Sequence, residues 1–157
     1  MSAGRIYTVR FRSVAVTAVQ DLCAAYAGTG MAIEVVSFTL GQITQTAVEL
    51  LNLSIKRLPA TVTPGSGGGA FTPDRDTSTD AAATFTARIN DTTPATSSGT
   101  ILFLHPDVIN LPNGYQWIFP ERARPSCTLN EALIFSLDTA PAALRTMSGS
   151  MKLRELF

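Results

Sequence analysis

Apolar and polar residues alternate with a period of two along much of this chain, and that period belongs to β-strands. Residues 5–19 open with Tyr7, Val9 and Phe11 on one face and Thr8, Arg10 and Arg12 on the other, which predicts one long or bent strand. Residues 31–40 set Ile33, Val35 and Ser37 against Glu34, Val36 and Phe38 before Gly41-Gln42 closes them; apolar residues on both faces predict a strand covered on both sides. Residues 48–58 place Leu51, Leu53 and Ile55 opposite Asn52, Ser54 and Lys56, and Pro59 stops them. Residues 83–89 alternate Phe85, Ala87 and Ile89 with Thr84, Thr86 and Arg88, a strand with one wet face. Residues 101–104 read as a short strand ended by His105-Pro106. Asn113-Gly114 then gives a hairpin-type turn signal ahead of Tyr115-Gln116-Trp117-Ile118-Phe119 and Pro120. Residues 128–137 carry Leu129, Leu133, Phe135 and Leu137 at even spacings with Glu131 on the same face, so a bulge near Asn130 is expected. Residues 146–156 put Met147, Gly149, Met151, Leu153 and Glu155 on one face.

Two segments depart from the alternation. In residues 20–27, Leu22, Cys23 and Tyr26 follow Asp21 at helix-like spacing, which predicts one short helix or turn before Gly28-Thr29-Gly30. Residues 61–80 hold Pro64, Gly65, Gly67, Gly68, Gly69 and Pro73, with Val62 and Phe71 as their large apolar side chains. Such a segment builds little core, and is expected to be either a mobile loop or an arm ordered against a neighbouring subunit. Together the pattern predicts a single all-β domain over residues 1–157, a jelly-roll-like two-sheet sandwich with at most one short helix.

Charged residues make up only 15% of the chain, against roughly 25% in an ordinary soluble domain, so part of the surface is expected to be covered by a partner. Twelve basic and twelve acidic residues cancel, which removes the overall field that would favour nucleic acid or an anionic membrane. Basic residues gather locally at Arg5, Arg10 and Arg12, and again at Arg122, Arg124, Lys152 and Arg154. A face formed by Arg5, Arg10 and Arg12, with Gly67, Gly68 and Phe71 of the glycine-rich segment, is the candidate interface. No apolar run approaches the 18 or so residues of a membrane span, and the start at Met1-Ser2-Ala3-Gly4 lacks a signal-peptide core. The expectation is a protein made in the cytoplasm.

Candidate chemistry is sparse. His105 is the single histidine, and no His-Glu-x-x-His helix, Cys-x-x-Cys pair or Gly-x-Ser-x-Gly elbow accompanies it. Cys23 and Cys127 sit among apolar neighbours and read as buried thiols. The run Gly65-Ser66-Gly67-Gly68-Gly69 lacks the Gly-Lys-Ser/Thr ending of a phosphate loop, and Asp74-Arg75-Asp76 with Asp80 lacks the glycine and terminal glutamate of a calcium loop. Trp117, between Tyr115 and Phe119 on one strand face, fits either a core anchor or a binding hot spot. No catalytic residue, metal or cofactor is expected, and the protein is not read as an enzyme.

Several stretches nonetheless look familiar. Tyr7-Thr8-Val9-Arg10-Phe11, the run from Val14 to Leu22, Leu40-Gly41-Gln42, Ser66-Gly67-Gly68 leading to Thr72-Pro73, and Ala140-Pro141-Ala142 with Met147-Ser148-Gly149-Ser150 are similar to small structural proteins of tailed-bacteriophage virions. Within that class the chain most resembles a capsid decoration, or cement, protein. The resemblance implies a virion location, the major capsid protein as partner, and a homotrimer, with residues 1–5 and 61–80 as candidate arms. A tail or head-tail connector component is the alternative within virions. A carbohydrate-binding β-sandwich for host adsorption is the alternative from another class.

Overall fold

A computed structural model describes residues 4–44 and 48–157; residues 1–3 of the expected N-terminal arm lie outside the described residues. The chain opens with β1 (Arg5–Val16), β2 (Gln20–Tyr26), β3 (Ala32–Gln42) and β4 (Leu50–Leu58). A long connection follows with the short strands β5 (Val62–Thr63), β6 (Gly69–Phe71), β7 (Asp74–Arg75), β8 (Thr86–Asp91) and β9 (Thr96–Ser97). The rest comprises β10 (Leu102–Asn110), β11 (Tyr115–Ile118), β12 (Ser126–Cys127), β13 (Ala132–Leu137) and β14 (Arg145–Leu156).

One sheet runs β11-β3-β14-β1-β7, with β12 also paired to β3; the other runs β10-β4-β13-β2-β8-β6. The paired neighbours are antiparallel. The sequence-adjacent strands β1 and β2, β3 and β4, β10 and β11, and β13 and β14 hold matching positions in opposite sheets. The orders β11-β3-β14-β1 and β10-β4-β13-β2 are those of a jelly roll, as the alternation predicts. Strands β5 to β9 are an insertion between its fourth and fifth strands. The core lies between the sheets, where Tyr7, Val9 and Phe11 of β1 meet Leu51, Leu53 and Ile55 of β4, Leu133, Phe135 and Leu137 of β13, and Met147, Met151 and Leu153 of β14.

Bulges explain where the strands depart from simple alternation. In β3, Ser37 faces Lys152 and Val35 faces Leu153, so Val36 is the extra residue. That slip moves the inward set from Ile33 and Val35 to Phe38 and Leu40, and turns Ser37 away from the predicted face. Strand β3 also continues through Gly41-Gln42 instead of closing there. In β2, Phe135 faces Cys23 and Ser136 faces Asp21, leaving Leu22 as the extra residue. The predicted helix at residues 20–27 is this strand: the bulge puts neighbouring residues into the core and imitates helical spacing.

Three further expectations are corrected. Strand β10 passes through His105-Pro106 to Asn110, because an edge strand tolerates a residue without an N–H. Asn113-Gly114 is not a hairpin turn; β10 and β11 belong to different sheets, and Leu111–Asn113 forms a 3-10 turn that crosses between them. Residues 128–131 form a turn ahead of β13, with Asn130 at a φ of 65° and the Glu131 carboxylate accepting the Thr128 N–H at 2.8 Å, so Leu129 is exposed.

Candidate interaction surface

The segment at 61–80 is ordered by its own chain. β6 pairs with β8 in one sheet and β7 pairs with β1 in the other, so Thr72-Pro73 crosses one long side of the sandwich as a strap. Gly68 N–H donates to Asp91 Oδ1 at 3.1 Å, and Arg88 clamps both oxygens of the same carboxylate at 2.8 Å. A Cβ on Gly68 would stand 2.0 Å from the carbonyl oxygen of Ile89, so the close approach requires glycine. Gly67 carries a φ of 89° at the same turn.

The six residues singled out from the sequence therefore do not share one face. Arg10 lies on the strap, 2.6 Å from Asp74 and with its guanidinium 5.8 Å from the centre of the Phe71 ring. Phe71 is half-buried against the core. Arg12 is exposed on the same sheet face as Arg10. Arg5 falls on the opposite parity, with Tyr7 and Val9, and its guanidinium covers the Phe157 ring at 4.9 Å. Gly67 and Gly68 serve the strap's attachment to Asp91.

The other long side presents different chemistry. β10 and β11 are the edge strands of the two sheets on that side. His105 lies 4.7 Å from the Trp117 ring, 5.3 Å from Phe119 and 5.7 Å from Phe38, while Tyr115 stacks on Phe38 at 5.5 Å. The Tyr115 hydroxyl donates to Asp107 Oδ2. Its proton is thus spent, so His105 Nε2, 3.1 Å from the same oxygen, is the donor of a relay from His105 through Tyr115 to Asp107. Burial pushes His105 below its ordinary value, with Asp107 pulling the other way. The Tyr115 hydroxyl and the Val108 N–H hold the Asp107 carboxyl low. Burial, and then Asp107, push the Tyr115 phenol up.

This relay ties two edge strands together. Among the described residues, no group of three or more His, Cys, Asp or Glu side chains is placed to hold a metal ion. Both cysteines are buried free thiols. Beside the relay Trp117 is 41% exposed, and Phe103 and Val108 on the outer face of β10 and Ile118 on β11 are exposed more fully. Phe103, Pro106 and Val108 share the outer face of β10 with a shallow depression that also takes in Asn52 and Asp138. Lys56 lies 5.2 Å from the centre of the Phe103 ring and is neutralised by Asp138 at 2.6 Å. Pro106 and the irregular register between Phe103 and His105 blunt β10 as a template for further strands, so this wall offers side chains more than backbone.

The architecture is that of a jelly-roll domain carrying an apolar edge wall. Comparison with protein-family models, curated proteins and solved structures finds no match for the chain.

Proposed function

We propose that the chain is a virion structural protein of a tailed phage, a capsid decoration protein that binds and braces the major capsid shell as a trimer. The observation that supports this best is the exposure of apolar side chains on both edge strands, Phe103 and Val108 on β10 and Trp117 and Ile118 on β11. A wall of this kind suits adhesion, and many copies on a shell convert modest contacts into firm attachment. The resemblance of the sequence to phage virion proteins gives the partner. Light scattering on the purified chain, followed by addition to shells lacking it, tests the proposal. A trimer that adds to the shells and raises their melting temperature is the expected result; a monomer or large ring that ignores them would overturn it.

A second reading has one observation in its favour. Trp117 exposes part of its ring beside the Asp107 carboxylate and the His105 imidazole, a pairing of apolar platform and hydrogen-bonding groups suited to a sugar. Glycan-array binding abolished by Trp117→Ala would favour that carbohydrate-binding reading over the capsid one.

A further inference from the structure

The pairing of β1 with β14 contains a bulge. Phe11 faces Gly149 and Val14 faces Met147, so two residues of β1, Arg12 and Ser13, stand opposite Ser148 alone. Ser13 takes a φ of 52°, a left-handed conformation that a serine adopts only at a cost, and its N–H donates to Ser148 Oγ at 2.9 Å. Beside this strained turn, on the outer face of the sheet, Arg10 and Arg12 line a shallow depression of about 400 Å³ together with Thr39, Ser148, Gly149 and Ser150.

The groups around the depression are donors with protons to spare. Among the described residues Arg12 makes no hydrogen bond, ion pair or ring contact, an isolation that Arg122 alone of the other basic side chains shares. Asp74 accepts from Arg10 Nε at 2.6 Å, which leaves the terminal nitrogens of that guanidinium. Ser148 Oγ is an acceptor for Ser13, so its own proton remains to give. Thr39 Oγ1 and Ser150 Oγ lie 2.9 Å apart, share one of their two protons and keep the other. No carboxylate lines the depression.

We propose that this depression docks the carboxylate of a glutamate or aspartate side chain presented by a different protein. Charge and shape select that occupant. Asp74 answers Arg10, so a single cation is left over, which a carboxylate matches and a phosphate ester, with close to two charges, exceeds. The planar guanidinium of Arg12 fits a carboxylate edge to edge through two parallel bonds. The depression is open, unlike the concave pockets that hold small free ligands, and Phe11, the ring that lines it, is 5% exposed and offers no platform for a sugar. A second copy has little to bring. The side-chain carboxylates of this chain are taken by its own groups, save Asp80 and Glu121, which Arg154 reaches only at 3.5 Å. On the capsid reading, on which the choice of partner rests, the docked carboxylate belongs to a major capsid subunit.

The test uses the full chain in two ways. NMR titration with the peptide acetyl-Gly-Glu-Gly-amide should shift the Arg12 Nε–H and the Ser148 N–H and leave the Nε–H of Arg122, which lies outside the depression, in place. Cosedimentation with empty shells of the cognate major capsid protein compares the unaltered chain with Arg12→Gln and Arg122→Gln, and thermal melting checks that each variant stays folded. Arg12→Gln should weaken shell binding about tenfold, with Arg122→Gln unchanged. Full binding by Arg12→Gln would overturn the inference and leave the capsid reading standing, and equal losses in both variants would overturn it in favour of diffuse charge attraction. Failure of the unaltered chain to bind shells would overturn the capsid reading, and the titration would still decide the site: no shift at Arg12 overturns it. Inorganic phosphate or glucuronate acting at lower concentration than the peptide would overturn the protein carboxylate. Loss of self-association by Arg12→Gln in light scattering would overturn it in favour of a second copy.

Discussion

The two long sides of the sandwich close the same gap in opposite ways. On one side the β6–β7 strap crosses from sheet to sheet and is fixed by polar groups. Arg10 pairs with Asp74, Lys152 with Asp76, Thr8 Oγ1 donates to Asp76 at 2.7 Å, and the Asp76 N–H returns to the Ile6 carbonyl at 3.0 Å. On the other side the crossing from β10 to β11 is fixed by rings around Phe38 and His105, and apolar side chains are left facing water. A glycine-rich stretch that looks like a free arm is thus consumed in closing its own domain. The strands that look like ordinary core elements leave the unpartnered surface.

The sharpest way to break that comparison is Phe38→Ala. The buried ring lies 4.7 Å from Phe135, 5.5 Å from Tyr115 and 6.0 Å from Phe119, so it joins the aromatic wall to the centre of the core. Its truncation should cost about 3–5 kcal/mol in urea denaturation. A loss under about 1 kcal/mol, the scale of a surface contact, would mean that the wall is a separate veneer. On the strap side, Asp91→Ala removes the acceptor shared by Gly68 and Arg88. About 3 kcal/mol is expected, the low end for a broken buried pair, because the Arg88 side chain is 26% exposed and recovers some hydration. Hydrogen exchange at the Gly68 amide should accelerate with it; an unchanged rate would show that β6–β8 pairing alone holds the strap.

Much of the sandwich is legible in the sequence, because alternation reports which faces are buried. Leu51, Leu53 and Ile55 in β4 and Met147, Met151 and Leu153 in β14 are buried as their spacing predicts. The bulges at Leu22 and Val36 are not legible: one extra residue changes the parity, and only pairing with a partner strand reveals it. Edges are hidden for the same reason. Phe103 and Val108 have the composition of core residues, and their exposure follows from the register that sets them opposite Lys56 and Asn52 on the outer face of the sheet. The strap is misread because glycine content signals conformational freedom, while its anchors, Asp91, Ile6 and Arg10, lie far from it in the chain. Within the aromatic wall, the sequence raises Trp117 and its neighbour Tyr115 as candidate binding residues.

A double-mutant cycle on Arg10→Ala and Asp74→Ala probes a smaller effect. The pair is 2.6 Å apart, but about half of each side chain is in water, so a coupling of about 0.2–1 kcal/mol is expected, shrinking further in high salt. A coupling well above this would mean that the strap depends on its ion pairs more than on its strand pairing.

The smallest expected effect separates the two sides by pH. Burial, opposed by Asp107, depresses His105, so the folded chain favours the neutral imidazole. Stability from this group is complete above its ordinary value of 6.5 and is lost as pH falls from there through the lower folded value, because the unfolded chain takes up the proton first. The strap responds later. Burial would raise Asp76, but Lys152 and Thr8 outweigh it and leave the carboxyl below its ordinary 3.8. Its contribution persists above 3.8 and disappears as pH falls through the still lower folded value. Asp107 and Glu49 are also held low and add to that late loss, whereas burial raises Asp21, which works in the opposite direction near and above 3.8. The difference between the unaltered chain and His105→Asn isolates the imidazole. Urea midpoints measured from pH 8 to pH 3 should show the unaltered chain losing stability below 6.5 relative to the variant, and the two running parallel once His105 is fully protonated. Parallel curves throughout would mean that the ring cluster opens to solvent readily, and that the aromatic side is no more firmly closed than the strap.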